Sequence, residues 1–195
     1  MRNKIVAAMM AAGMMMYGAS AFAADSVPNA SFGQGTIYFD GTITNAPCDI
    51  TGGGNSTVHF GSVSMKNVNG TESHPQPFSI NLSNCTLTGA KPGNPATDIT
   101  KATVAFSVGG TGSLVTADHT VIHAGGNTDV GIKIKNNANN KFLKLDGTTS
   151  TTDNDITLIT GSGSQALNFT AYLVSDGTVV PGDFTAAATY TLAYN

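Results

Sequence analysis

From position 184 to the end of the chain, the even positions read Phe184, Ala186, Ala188, Tyr190, Leu192 and Tyr194, with small or polar residues between them. Successive side chains of a β-strand point to opposite faces, so these six predict one long half-buried strand. It runs to one residue short of the C-terminus, where chains usually fray, so something must tie it down. A second alternation lies near the other end. Between 35 and 43 the odd positions are Gly35, Ile37, Phe39, Gly41 and Ile43, and the even ones are Thr36, Tyr38, Asp40 and Thr42. Ile37, Phe39 and Ile43 would share a buried face. The residues just upstream, 25–34, are small and polar, too poor in apolar side chains to hold themselves in a core. A strand with nothing of its own to pack on implies a partner elsewhere, because a domain with an unpaired edge is an aggregation hazard.

Between the two ends, Gly, Thr, Ser and Asn separate short apolar runs, and no long window repeats apolar residues at helical spacing. Strands are expected over 57–63, 78–82, 102–108, 130–135, 142–145, 156–159 and 167–174, with turns at 51–56 and 136–140 and loops over 66–77, 88–100 and 146–155. Residues 113–127 read ambiguously. Strands at this spacing with turn chemistry between them indicate an all-β sandwich.

The first residues read as an export signal: Arg2 and Lys4, an apolar Met- and Ala-rich run from Ile5, and the cleavage pattern Ala21-Phe22-Ala23. Residues 1–23 are therefore expected to be removed, leaving one domain's worth of chain. That chain carries seven Lys, no Arg and twelve acidic residues. With no basic run and no aromatic–basic interleaving, nothing in it points to nucleic acid. Its two cysteines, Cys48 and Cys85, form an even count outside the cytoplasm and predict a disulfide.

Catalytic and metal signatures are weak. His119 and His123 are four apart, but the Thr, Val, Ile and Gly around them argue against a helix, and His59 and His74 lie elsewhere in the chain. Asp153 and Asp155 sit in a Thr- and Asn-rich stretch that reads as a solvated turn. No G-x-S-x-G elbow occurs. The glycine runs at 109–112 and 161–164 lack the helix a phosphate loop needs. No cofactor is expected, and the chain does not read as an enzyme.

Several segments together resemble the type 1 fimbrial major-subunit family of the chaperone–usher pathway. They are Gly35-Thr-Ile-Tyr-Phe-Asp-Gly-Thr-Ile43, Ala46-Pro-Cys48, Val58-His-Phe-Gly61, Phe78-Ser-Ile-Asn-Leu82 and Asn84-Cys85. Gly182, fourteenth from the C-terminus, and the penultimate Tyr194 complete the set. The resemblance implies an incomplete immunoglobulin-like β-sandwich (residues 42–195) that lacks its last strand and so has a hydrophobic groove. Residues 24–41 would be the donor-strand extension that fills the groove of a neighbouring subunit, with Gly35 as its small residue and Ile37 and Phe39 as its pocket-filling ones. Ser31 and Gly33 would continue that strand. A periplasmic chaperone would occupy the groove first, pairing with the C-terminal strand around Gly182, Tyr190, Leu192 and Tyr194. An outer-membrane usher would mediate the exchange. The implied partners are identical or related pilin subunits, that chaperone, that usher, and a host glycan receptor met through the assembled fimbria. The implied location is the cell-surface fimbrium, reached through the periplasm, with a role in adhesion. The alternatives are a minor or adhesive fimbrial subunit and a secreted carbohydrate-binding sandwich.

Overall fold

An extended chain forms a strand only where a neighbour offers backbone hydrogen bonds. The computed structural model describes residues 36–195 except 69, 71, 92, 95, 110–112, 115, 116, 127, 128, 150, 151 and 176. The chain divides into two units, Met1–Ile43 and Thr44–Asn195. In the first, residues 36–43 have no regular secondary structure, and Ile37, Tyr38, Phe39 and Ile43 are 76%, 87%, 90% and 102% exposed. The strand expected there is not formed, since among the described residues none pairs with this segment. Ser31, Gly33, Gly35 and the export signal lie outside the described residues.

The second unit is antiparallel throughout. Its strands are β1 (Asp49–Ile50), β2 (Ser73–Ser83), β3 (Lys101–Gly109), β4 (Ser113–Leu114), β5 (Ile122–His123), β6 (Val130–Asn136), β7 (Lys141–Phe142), β8 (Asp155–Thr157), β9 (Gln165–Ser175) and β10 (Ala187–Tyr194). One sheet has the order β1-β2-β9-β6-β5-β4, with β7 paired to β6; the other is β10-β3-β8. Isolated bridges from Ser107 to Asp146 and from Gly125 to Thr185 add to the pairing. The Thr185 bridge needs a glycine beside it: a Cβ on Gly126 (φ +112°) would sit 2.4 Å from the Asp183 carbonyl oxygen.

The inward faces follow the alternation read from the sequence. On β9, Leu167, Phe169, Ala171 and Leu173 are buried; on β6, Val130, Ile132 and Ile134; on β3, Ala102, Val104 and Phe106. Phe169 forms the centre of an aromatic cluster, 5.2 Å edge-on from Phe106 and 5.4 Å stacked on Phe78. These rings belong to one apolar cluster that also takes in Ile80, Leu82 and Leu167. A second cluster gathers Val68, Val130, Ile132, Ala171 and Leu173 towards the other end of the same sheet face. The two buried asparagines have partners that hold the 153–155 turn on the core. Asn136 Nδ2 donates to the carbonyls of Asp153 (2.9 Å) and Asp155 (3.2 Å), and Asn154 Nδ2 donates to that of Val104 (2.6 Å).

Cys48 and Cys85 form the expected disulfide, with Cα atoms 4.1 Å apart. It fastens the chain before β1 to the chain after β2, beside the pairing of Asp49 with Ser83. In the loop-entropy picture a closure over 37 residues stabilises the fold by about 4 kcal/mol.

Beyond residues 36–43 the structure departs from the sequence-based expectations at several strands, and β10 begins at Ala187, after Phe184 and Ala186. Strand β2 begins at Ser73, five residues before the expected 78–82, and runs through Pro75 and Pro77. Proline is admitted there because β1 covers only Leu82 and Ser83, leaving 73–81 as an edge on that side. A register shift between Ser73 and Gln76, with His74 at φ 51°, absorbs the irregularity. The expected strands over 142–145 and 156–159 shorten to β7 and β8, although Leu143, Leu145 and Leu158 are buried as their alternation requires. Residues 57–63, expected as a strand, have no regular structure, for a reason that lies in the site itself.

Candidate functional site

Strand β10 has one paired edge and one open edge. Its eight residues pair with β3 from Ala187–Gly109 to Tyr194–Ala102. Asn195 exchanges both backbone hydrogen bonds with Lys101, at 3.0 and 3.1 Å. In an antiparallel ladder such doubly bonded positions recur every second residue, so Ala193, Thr191, Thr189 and Ala187 also face β3. The N–H and C=O groups of Ala188, Tyr190, Leu192 and Tyr194 therefore face the other way. On that side no strand pairs with β10 among the described residues.

Beside this edge lies a cavity of about 550 Å³. One wall is residues 54–60, the other residues 184–188 with Tyr190, and the floor includes Phe78, Phe106, Ile132, Ile134 and Ala171. Interiors of folded domains hold few voids larger than a water molecule, and an engineered apolar cavity of roughly 150 Å³ already admits benzene. This one is large enough for several side chains. It lies where the two apolar clusters meet, with Phe106 and Ile134 from the first and Ile132 and Ala171 from the second.

Two local features of the sequence leave this room. On the inward face of β10 and the residues before it, Phe184 and Tyr190 are bulky while Ala186 and Ala188 between them are small. Across the gap, Val58, Phe60 and Val63 pack their side chains onto the second cluster, and Phe60 lies 6.0 Å from Phe184. Residues 57–63 thus put the expected side chains inward, yet form no ladder. The strand position that would separate them from β10 is open. The arrangement offers an extended peptide a row of backbone donors and acceptors and an apolar trench for alternate side chains, which is the chemistry of β-strand addition.

Tyr190 spans the trench, its Oη donating to the Gly54 carbonyl at 3.0 Å, and its ring lies 6.1 Å from that of Phe106. Leu192 and Tyr194 are half-buried against the first cluster. The Tyr194 hydroxyl is buried without a hydrogen-bond partner. Burial raises the phenol pKa of both tyrosines above the usual value, and for Tyr194 the neighbouring Tyr190 adds to the effect. Gly182 lies in the exposed connection between β9 and β10.

The remaining candidates lie apart from one another. His119 Nδ1 pairs with Asp146 Oδ2 at 2.6 Å, and His123 sits in β5. Among the described residues no group of three metal-ligating side chains converges. Asp155 accepts from Thr103 Oγ1 (2.7 Å) and Lys101 Nζ (3.3 Å), which ties β8 to β3. His59 stands exposed in the first wall of the groove, and His74 Nδ1 is buried without a partner. The groove's first wall was not legible as part of a site from the sequence. The small inward residues Ala186 and Ala188 were the one available sign of it.

Comparison with known proteins bears on what such a groove is for. A family model described as "Fimbrial protein" matches residues 37–195. The major MR/P fimbria protein of Proteus mirabilis is 34% identical, covering 98% of each chain. Among solved structures, a chaperone–usher pilus subunit superposes with a TM-score of 0.71 at 28% identity, covering 87% of this chain and 100% of that one. The P pilus rod subunit PapA superposes with a TM-score of 0.63 at 25% identity, covering 77% of this chain and 100% of that one.

Proposed function

This chain belongs to the fimbrial protein family and is a structural subunit of a cell-surface fimbria, and from that premise we propose that it polymerises by donor-strand exchange. The fold is the incomplete immunoglobulin-like sandwich of pilus subunits. In the proposed reading, residues 24–41 of one subunit enter the groove of the next. They pair with the open edge of β10 and bury Ile37 and Phe39 in the cavity. One observation carries this: the same chain holds an apolar trench beside an unpaired strand edge and an exposed segment of matching alternation. Burying the two donor side chains contributes roughly 1.5–3 kcal/mol each. The backbone ladder adds to this, and the resulting slow dissociation keeps the fibre assembled.

Before assembly, a periplasmic chaperone covers the same edge, pairing with β10 along Tyr190, Leu192 and Tyr194, and an outer-membrane usher exchanges it for the next subunit. The route to the surface is through the periplasm after loss of residues 1–23. No enzymatic role is part of this reading.

The test is to refold the chain with and without a synthetic peptide spanning residues 24–41, then follow oligomeric state and melting. Donor-strand assembly requires that the chain alone be unstable or aggregate and that the peptide convert it into a heat-resistant one-to-one complex. A stable monomer indifferent to the peptide overturns the reading.

A further inference from the structure

The chain is acidic overall, yet the outward face of its larger sheet gathers positive charge. Four of the seven lysines that remain after residue 23 lie at 133, 135, 141 and 144, and the stretch from Val130 to Leu145 contains no acid. They form no run in the sequence. The β6–β7 hairpin assembles them: Lys135 pairs across the ladder with Phe142, and Lys133 pairs with Tyr172 of β9. Cross-strand partners share a face, so Lys133, Lys135, Phe142 and Tyr172 stand together. Lys144, exposed between the buried Leu143 and Leu145, continues the alternation of Phe142 on the same side. The groove lies on the opposite face of these strands, where Ile132, Ile134 and Ala171 belong to its floor. A strand seated in the groove therefore leaves this face uncovered.

Rings, more than carboxylates, hold these lysines. Lys133 Nζ stands 4.1 Å from the centre of the Phe142 ring and Lys135 Nζ 5.2 Å from that of Tyr172. The two rings meet edge to face at 5.7 Å. A carboxylate cancels a lysine's charge, whereas a ring face attracts the ammonium and leaves its charge intact. Lys133 also pairs with Glu72, but Lys135, Lys141 and Lys144 have no ion-pair partner among the described residues. Resting Lys135 on a ring also removes part of the side-chain freedom that an anion would otherwise have to freeze.

The donor set selects the anion. Every cation here is an ammonium, and after residue 23 the chain has no arginine, the side chain whose planar fork pairs bidentately with phosphate. The half-buried rings present apolar area beside the charges. Thr170, which pairs with Lys135 across the ladder, is hydrogen-bonded to Asn137 at 2.9 Å and adds neutral hydroxyl and amide groups. Ring area, neutral hydrogen-bonding groups and isolated ammonium charges match a sugar chain that carries carboxylate or sulfate groups. A fimbria repeats the patch once per subunit, so a long chain of regularly recurring charge engages many weak sites at once. We propose that the outward face of β6, β7 and β9 is a binding site for acidic polysaccharide. Lys135 and Lys144 meet its carboxylate or sulfate groups, and the Phe142–Tyr172 pair packs on a sugar ring. The site does not depend on how the subunits join.

The experiment measures binding of purified fimbriae to immobilised heparin (sulfated), hyaluronan (carboxylated) and dextran (neutral), with duplex DNA in parallel. Binding to heparin or hyaluronan should exceed binding to dextran at least about 10-fold and should weaken about 10-fold between roughly 50 and 200 mM salt. Preference for heparin assigns sulfate as the recognised group, and preference for hyaluronan assigns carboxylate. Fimbriae carrying Lys135→Gln and Lys144→Gln should bind at least about 10-fold more weakly with unchanged melting. Lys66→Gln with Lys91→Gln removes as much charge elsewhere and should stay within about 2-fold of wild type. Equal loss in the two double variants, no wild-type binding to either acidic chain, or tighter binding to DNA than to both overturns the assignment. A second measurement needs no variant. Whichever acidic chain binds should protect Lys135 and Lys144 of wild-type fimbriae from acetylation and leave Lys66 and Lys91 reactive. Protection spread equally over all four overturns the site.

Discussion

Residues 36–43 and β10 both place apolar side chains at alternate positions, yet β10 pairs along all eight residues with β3 while Ile37 and Phe39 stand exposed. Period-two alternation states that a segment can present one face to a core and its backbone to neighbours. It does not supply the neighbour. For β10 the neighbour is β3, and Asn195 is itself bonded to Lys101, which ties this residue to the sheet. The first wall of the groove is an intermediate case. Val58 and Phe60 find apolar partners and point inward, but residues 57–63 lack a ladder and remain irregular. A strand therefore needs both a covered face and a paired edge.

The contrast can be broken most directly by giving the N-terminal segment a partner in its own chain. Appending residues 24–41 after Asn195 through a tight turn of about four residues should give a monomer. At roughly 3–6 kcal/mol from Ile37 and Phe39, and 2–4 °C per kcal/mol for a domain of this size, its melting temperature should rise by about 6–24 °C. A fused chain that aggregates and melts as before would show that the open edge is not what the segment lacks.

Truncating one phenylalanine at a time sharpens the same contrast. Phe106→Ala removes a ring 2% exposed and in contact with Phe169, and should cost about 3–5 kcal/mol in urea denaturation of the fused chain. Phe39→Ala should leave the unfused domain's stability unchanged while destabilising the fused chain by about 2–3 kcal/mol. Equal effects of Phe39→Ala in the two forms would remove the donor role from that residue.

Replacing both cysteines with alanine should cost about 4 kcal/mol or somewhat less, read as a lower denaturation midpoint that no longer responds to reductant. This loss should be the same with and without the donor peptide, because the bridge joins segments already paired through β1 and β2. A loss that vanishes when peptide is bound would mean that the disulfide acts on the groove.

The smallest expected effect is alkaline. The folded-state pKa values of Tyr190 and Tyr194 are raised by burial, so their contribution is present below the ordinary phenol value near 10 and is lost as pH rises through the raised values. Melting temperature should hold up to about pH 9 and decline above about pH 10, and Tyr190→Phe should make that decline shallower. An identical decline in Tyr190→Phe would place the alkaline transition elsewhere.

The sequence alone determined which residues share a face. The inward sets of β3, β6, β9 and β10 are those its alternation marks, the disulfide follows from compartment and parity, and the two terminal segments stand out for a pattern that one domain does not fully use. These are local properties, written in periods of two and in turn residues. Which edges are paired was decided only by the tertiary structure, because pairing joins residues far apart in the chain. It set the start of β2 at Ser73, where an uncovered edge tolerates Pro75 and Pro77. It left residues 57–63 without a ladder. It also brought Tyr190 to Gly54, 136 residues away, as a partition across the groove. A hydrogen bond from a side-chain tip to a distant carbonyl leaves no periodic trace in sequence, since it depends on the width of the gap between two walls.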